Sequence, residues 1–300
     1  MRKDLRRPSF ERINYFLRPK KQIERKLSIE ILQEIGKKIE TLQNHKYIGM
    51  GSIYYFDFIL FHKYLHLTKL VSLDDKTPDY RFHFNKPYDF IDFHNVISTT
   101  FLSKFDFLEN IIIWLDYDLP LKVEYLEDFA ILARKASKND IILFTLNVSY
   151  QNNKNKLIEY LKPFSDYISR VYHPVSQKIN QENYTQVIQD ICLNYFQTLC
   201  AARKISFQKI FSFEYADGAP MLTVCGIMTD DQEMVNSLSH PFIRRDKSVL
   251  NIDIPLITYK EKYYIDSKMD FLKTSLPELD KVLKEYGITD IVEEKKFIVD

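Results

Sequence analysis

The chain has 300 residues, 45% of them apolar and 28% charged, with a formal net charge of +1. That length suits one large α/β domain with an appendage, or two small domains, and a near-neutral balance excludes whole-surface attraction to nucleic acid or to an acidic membrane. Cys192, Cys200 and Cys225 are odd in number and lack zinc-ligand spacing, which points to a reduced, cytoplasmic setting; no run is long enough to span a bilayer, and no apolar stretch follows the basic start as a secretory signal requires.

Charge is uneven along the chain. Residues 1–26 hold ten Lys and Arg against three acids. A basic N-terminal arm, residues 1–21, is therefore expected to make weak contact with nucleic-acid phosphates. Residues 22–43 follow with Ile23, Leu27, Ile31, Ile35, Ile39 and Leu42 at spacings of three and four, which predicts an amphipathic helix. A short strand near Lys46–Gly49 comes next, then a glycine turn and a helix reaching about Leu65. Lys69–Leu73 is a second apolar run, ended by Asp74 and Asp75. A third strand is expected at Phe90–His94. Asn110–Leu115 is the most apolar run of all and stops abruptly at Asp116-Tyr117-Asp118. A helix over Val123–Ala136 precedes another buried strand, Asp140–Leu146.

Apolar runs without alternation, separated by helical patterns, predict a parallel sheet covered on both faces. After a polar surface loop at Gln151–Lys156 and a helix over 185–204, Lys209–Tyr215 and Met221–Met228 flank Ala216-Asp217-Gly218-Ala219-Pro220. That pattern reads as a β-hairpin, so the sheet ends in an antiparallel pair. The expected fold is α/β: a Rossmann-like, seven-stranded, mostly parallel sheet over residues 22–231, plus a small C-terminal appendage over 232–300. In that appendage a strand or arm is expected at 256–264, a helix at 277–286 and a final strand pair at 288–300.

Three places carry chemistry. Gly49 and Gly51, with Ser52 beside them, sit where a strand turns into a helix. There a backbone can approach a ligand closely, and free N–H groups point outward. A nicotinamide fingerprint needs a third glycine, and Tyr54 stands at that offset, which disfavours a dehydrogenase. Asp74, with Asp75 adjacent, ends the second strand about 20 residues beyond the glycine turn, the spacing of a carboxylate that accepts ribose hydroxyls. Asp116, Tyr117 and Asp118 end the fourth strand. Ligands in open α/β sheets bind there, and two carboxylates around an aromatic ring suit proton removal or the orientation of a planar group. His62 and His66 stand four apart, but no third ligand accompanies them, and no metal is assigned. No phosphate-loop motif is present.

Together these residues resemble the class I S-adenosylmethionine-dependent methyltransferases. More narrowly, Arg18-Pro19-Lys20-Lys21-Gln22-Ile23-Glu24-Arg25-Lys26, Tyr47-Ile48-Gly49-Met50-Gly51-Ser52 and Trp114-Leu115-Asp116-Tyr117-Asp118 are similar to a bacterial group of O-methyltransferases, some of which occur near antiviral genes. The resemblance implies S-adenosyl-L-methionine as cofactor, with an acceptor it does not identify. Gly49, Gly51 and Ser52 would approach the methionine part, and Asp74 with Asp75 the ribose. Asp116, Tyr117 and Asp118 would form the catalytic end, a carboxylate orienting the nucleophile or taking its proton while Tyr117 walls the pocket. Such enzymes usually place an acid two residues before the first glycine, where this chain has Tyr47. That departure motivates a rival expectation: a catalytically silent cofactor-binding or scaffold subunit of a bacterial antiviral protein assembly.

Overall fold

The computed structural model describes residues 18–39, 42–75 and 79–254, with Lys260, Tyr263, Tyr264 and Ser267 besides. The first seventeen residues of the expected arm, the helix at 277–286 and the strand pair at 288–300 lie outside the described residues, as does most of 256–264. The chain divides into two compact units, residues 1–251 and 252–300. Residues 232–251, assigned from sequence to the appendage, thus belong to the first unit.

Helix α1 spans Pro19–Gly36. Proline suits its first turn, because the missing N–H would be unpaired there anyway. The predicted continuation to residue 43 does not occur. Gly36 weakens a helix by about 1 kcal/mol relative to alanine, and Leu42 returns to the core in a 3-10 turn, Leu42–Asn44. Strand β1 (Lys46–Met50) leads into α2 (Phe56–Leu65), and β2 (Lys69–Leu73) into α3 (Asp79–Asn85). Next come β3 (Ile91–His94), α4 (Ser98–Lys104), β4 (Ile111–Asp116), α5 (Val123–Lys135) and β5 (Ile141–Asn147). The polar loop read at 151–156 already contains the start of α6 (Lys154–Leu161). Asn153 caps it by accepting a hydrogen bond from the Lys156 backbone N–H at 3.1 Å, a common N-terminal device. Helix α7 (Tyr184–Cys200) then precedes the long hairpin β6 (Ser206–Ala216) and β7 (Pro220–Thr229), followed by α8 (Gln232–Ser237) and a short β8 (Leu250–Asn251).

The sheet order is β3-β2-β1-β4-β5-β7-β6-β8. Among the described strands only β7 runs antiparallel to its neighbours. The sheet has eight strands rather than the expected seven, since β8 adds in parallel beside β6. Strand order reverses between β1 and β4, so the crevice of the fold opens at their carboxyl ends.

Alternate side chains divide the two faces. Ile48, Ile113, Leu115 and Phe144 join Leu102, Phe129 and Phe196 in one core, under α4, α5 and α7. On the other face Tyr47 stacks on Phe61 at 4.2 Å between centroids, and Phe61 meets Trp114 edge-on at 6.1 Å. No helix among the described residues is long and apolar enough to cross a membrane.

Candidate active site

A cleft of about 330 Å³ opens at the crevice. Met50, Gly51 and Ser52 reach it from β1, Leu73, Asp74 and Asp75 from β2, Val96 to Thr99 from the end of β3, and Asp116 to Leu119 from β4. Glu124, Tyr125 and Asp128 of α5 close the remaining side. Seven of the eight residues expected to act therefore meet in one hollow. Gly49 is the exception: it is buried within β1 and does not line the cleft.

The two glycines serve the fold differently from the turn expected of them. Neither has positive φ; the left-handed residue in this connection is Tyr55, at φ 48°. A non-glycine residue held there stores of order 1–3 kcal/mol, and the buried Tyr55 ring repays it by packing on Phe58 and Phe82. A Cβ on Gly49 would lie 2.6 Å from the Tyr47 hydroxyl, and one on Gly51 would lie 2.2 Å from Ser72 Oγ. Both glycines thus admit neighbouring side chains. Gly51 still forms part of the cleft wall, and its N–H donates to the Leu73 carbonyl at 3.1 Å, tying the β1 and β2 ends together.

Acid dominates the cleft. Asp74, Asp75, Asp116, Asp118, Glu124 and Asp128 all line it, and among the described residues no Lys, Arg or His does. Asp128 is buried and accepts hydrogen bonds from Ser98 Oγ at 2.5 Å, Thr99 Oγ1 at 2.6 Å and the Tyr117 hydroxyl at 2.6 Å. Three hydroxyls compensate the burial of this carboxyl group. They also lock Tyr117, whose ring stacks on Tyr125 at 3.8 Å. Burial, then the Asp128 charge, pushes the Tyr117 phenol well above its ordinary range. Tyr117 is a fixed wall, and its proton stays on.

Beneath the cleft lies an ion network absent from the sequence reading. Arg25 is 0% exposed. It donates to Glu24 Oε2 at 2.5 Å, to Asp57 Oδ1 at 2.7 Å and to Asp116 Oδ2 at 2.7 Å, with its guanidinium 4.5 Å from the Trp114 ring centroid. Lys21 Nζ reaches the same Asp116 oxygen at 2.9 Å. Burial alone would raise the Asp116 pKa, but Lys21 and Arg25 outweigh it and hold the carboxyl down at about 2. Arg25 is itself held well above its usual value: its carboxylate partners, Asp57 foremost, outweigh desolvation. Glu24 moves the other way, up to about 7, because desolvation exceeds the pull of Arg25.

Opposite pH dependences follow. Asp116 contributes stability that is present above its unfolded pKa of about 4 and lost as pH falls toward 2. Glu24 binds its proton more tightly when folded, so its contribution is full below about pH 4.5 and lost as pH rises through 7. Urea unfolding should show stability falling between pH 5 and 8, by at most about 1.4 kcal/mol per pH unit. Glu24→Gln should flatten that limb; an unchanged slope in the variant would assign it elsewhere.

One sequence signal for this network was available. Lys21, Arg25 and Ser28 recur at helical spacing, and all are buried, so a polar stripe shares the core-facing side of α1. The isoleucine and leucine pattern masked it. Arg18 and Lys21, at the end of the expected basic arm, and Arg25 just beyond it are buried. His62 Nδ1 donates to the Leu67 carbonyl at 2.8 Å and the ring packs on Tyr88 and Phe90; it is a structural residue. Among the described residues no His, Cys, Asp and Glu cluster could hold a metal ion.

A family model described as "Putative O-methyltransferase" matches residues 13–292. The chain belongs to that methyltransferase family. Among curated proteins nothing matches it. Solved methyltransferase structures resemble it in fold. Trm1 from Pyrococcus horikoshii, with S-adenosyl-L-methionine, aligns at TM-score 0.43 and 11% identity over 69% of this chain and 57% of its own. This family member thus spans little more than half the length of Trm1. The N-methyltransferase NodS from Bradyrhizobium japonicum WM9 aligns at TM-score 0.35 and 8% identity, over 66% of this chain and 95% of that one. A 16S rRNA adenine methyltransferase variant from Catenulisporales acidiphilia gives 0.38 and 10%, over 67% and 93%.

Proposed function

We propose that this protein is an S-adenosyl-L-methionine-dependent methyltransferase whose cofactor lies in the cleft between the β1, β2 and β4 ends. The observation that carries the reading is that Gly51 and Asp74 face one hollow whose charged lining, among the described residues, is entirely acidic. Such a hollow suits a ligand with a positive centre and repels phosphate. Dinucleotides and nucleoside triphosphates fit it poorly; a sulfonium-bearing nucleoside fits it well.

When bound, the cofactor supplies an activated methyl group on a positively charged sulfur. Asp74 would accept the ribose hydroxyls. Leu73, Val96 and Ile97 offer apolar walls for the adenine, and the backbone at Gly51 and Ser52 the close approach. Asp118 would orient the acceptor, and Asp116 the positive end of the cofactor beside it. A carboxyl held at about 2 is a poor proton acceptor at neutral pH, so orientation is the better role for Asp116. Alignment of the two reactants then supplies most of the catalysis, on the order of 7–11 kcal/mol in favourable cases.

Calorimetry with S-adenosylmethionine and S-adenosylhomocysteine tests the reading. The expected result is one site per chain, with weaker binding of the homocysteine product because its sulfur is uncharged. No heat for either compound at millimolar concentration would remove the cofactor from the proposal. A second reading, a silent scaffold, draws on Tyr47: its ring fills the space beside Gly49 at the position where an acid was expected. Labelled methyl transfer against small molecules, protein and nucleic acid separates the two readings.

A further inference from the structure

Helix α1 presents charge to the floor of the cleft. A buried ion network is weak evidence for stability, since apolar residues of similar volume often serve as well or better. Its position here is the informative part. Two cations, Lys21 Nζ at 2.9 Å and Arg25 Nη2 at 2.7 Å, converge on a single oxygen of Asp116, Oδ2. The other oxygen, Oδ1, is buried and has no hydrogen-bond partner among the described residues, while Asp116 itself lines the cleft. A lone buried carboxylate oxygen is costly. A ligand donor or positive centre entering the cleft would relieve that cost.

Lys21 is held from behind. Arg18 makes no side-chain cap at the start of α1. Instead the Asp217 carboxylate, in the turn between β6 and β7, accepts from the Lys20 N–H at 3.2 Å and from the Lys21 N–H at 2.8 Å. An anion at a helix N-terminus is favourable for both its charge and its acceptors. Asp217 thereby fixes the end of the helix that carries Lys21. Arg25, one turn further on, is fixed by Glu24 and Asp57.

We infer that Lys21 and Arg25 are positioning residues of the cofactor cleft: they fix the Asp116 carboxylate in one orientation, ready to receive the positive end of the cofactor, and Asp217 anchors Lys21 for this task. The inference rests on the cofactor reading above. It makes helix α1 part of the site, although 95 residues of chain separate Lys21 from Asp116. It also supplies a carboxylate for the cofactor in a chain that has Tyr47 where the sequence resemblance leads one to expect an acid.

A double-variant cycle read by S-adenosylmethionine calorimetry tests it, with thermal melting of each variant as the folding control. Lys21→Met and Asp116→Asn should each weaken binding about tenfold or more. In the Asp116→Asn background, Lys21→Met should change it less than about twofold, because the residue acts through that carboxylate. Lys21→Arg should recover most of the loss. Asp217→Ala, which leaves the network intact, should weaken binding about threefold and keeps the test open if Lys21→Met does not fold. Equal losses from Lys21→Met in both backgrounds, or wild-type affinity in Lys21→Met and Asp217→Ala, would overturn the inference while leaving the cofactor reading standing. A wild-type chain that binds no S-adenosylmethionine would overturn both.

Discussion

Replacing Arg25 with methionine is expected to cost about 3–5 kcal/mol of folding free energy. The side chain is fully buried and is the common partner of Glu24, Asp57 and Asp116. Methionine fills similar volume, so the loss is not chiefly a cavity. It is the charge of carboxylates left in a low-dielectric site with Lys21 as the remaining cation against them. Lysine at the same position should recover only part, since an ammonium is a point charge that cannot present a planar fork to three carboxylates. Urea denaturation at pH 7 measures the effect. Lowering the pH to 5 should shrink it, because unpaired carboxyls rise in pKa and take up protons. A variant within about 0.5 kcal/mol of wild type would mean that the network contributes nothing net to the fold.

The second large effect is on binding. Asp74→Ala should weaken S-adenosylmethionine by about 10- to 150-fold, corresponding to roughly 1.5–3 kcal/mol for hydrogen bonds to a charged group. The cofactor reading makes Asp74 the acceptor for a pair of ribose hydroxyls. It stands where β2 ends, and its backbone N–H is tied to the His94 carbonyl at 3.2 Å, so the loop position should survive the substitution. Asp75 also lines the cleft but is solvent-exposed, and Asp75→Ala should cost only a few-fold. Calorimetry on the two variants settles their ranking. Equal affinities for Asp74→Ala and wild type would detach the acid from the ribose and leave the cleft without its adenosine anchor.

Much of the architecture was readable along the chain because its signals are local. Runs such as Ile111-Ile112-Ile113-Trp114-Leu115 are buried on both faces, and a strand buried that way needs no alternation. The hairpin around Asp217-Gly218 was legible from its turn chemistry, and Gly218 does take the positive φ, 132°, that a turn glycine serves. Asp74 and Asp116 were legible because the ends of parallel strands converge on one crevice whatever the intervening helices contain. Each of these inferences needs only residue type, periodicity and the handedness of βαβ crossovers.

What could not be read was which distant residues share a burial site. The glycines at 49 and 51 suggested a turn, yet their missing Cβ atoms make room for Tyr47 and Ser72. The turn's strained residue is Tyr55, a choice that depends on Phe58 and Phe82 being there to pack it. Asp128 looked like one more acid on an amphipathic helix until Ser98, Thr99 and Tyr117 closed around it. By itself the sequence determined the α/β plan and the strand ends at which ligand chemistry gathers, because hydrophobic period and turn chemistry act over a few residues. Only the tertiary structure decided that Lys21, Glu24, Arg25, Asp57 and Asp116 form one ionic floor, because the energy of a buried charge depends on neighbours that sequence distance does not encode.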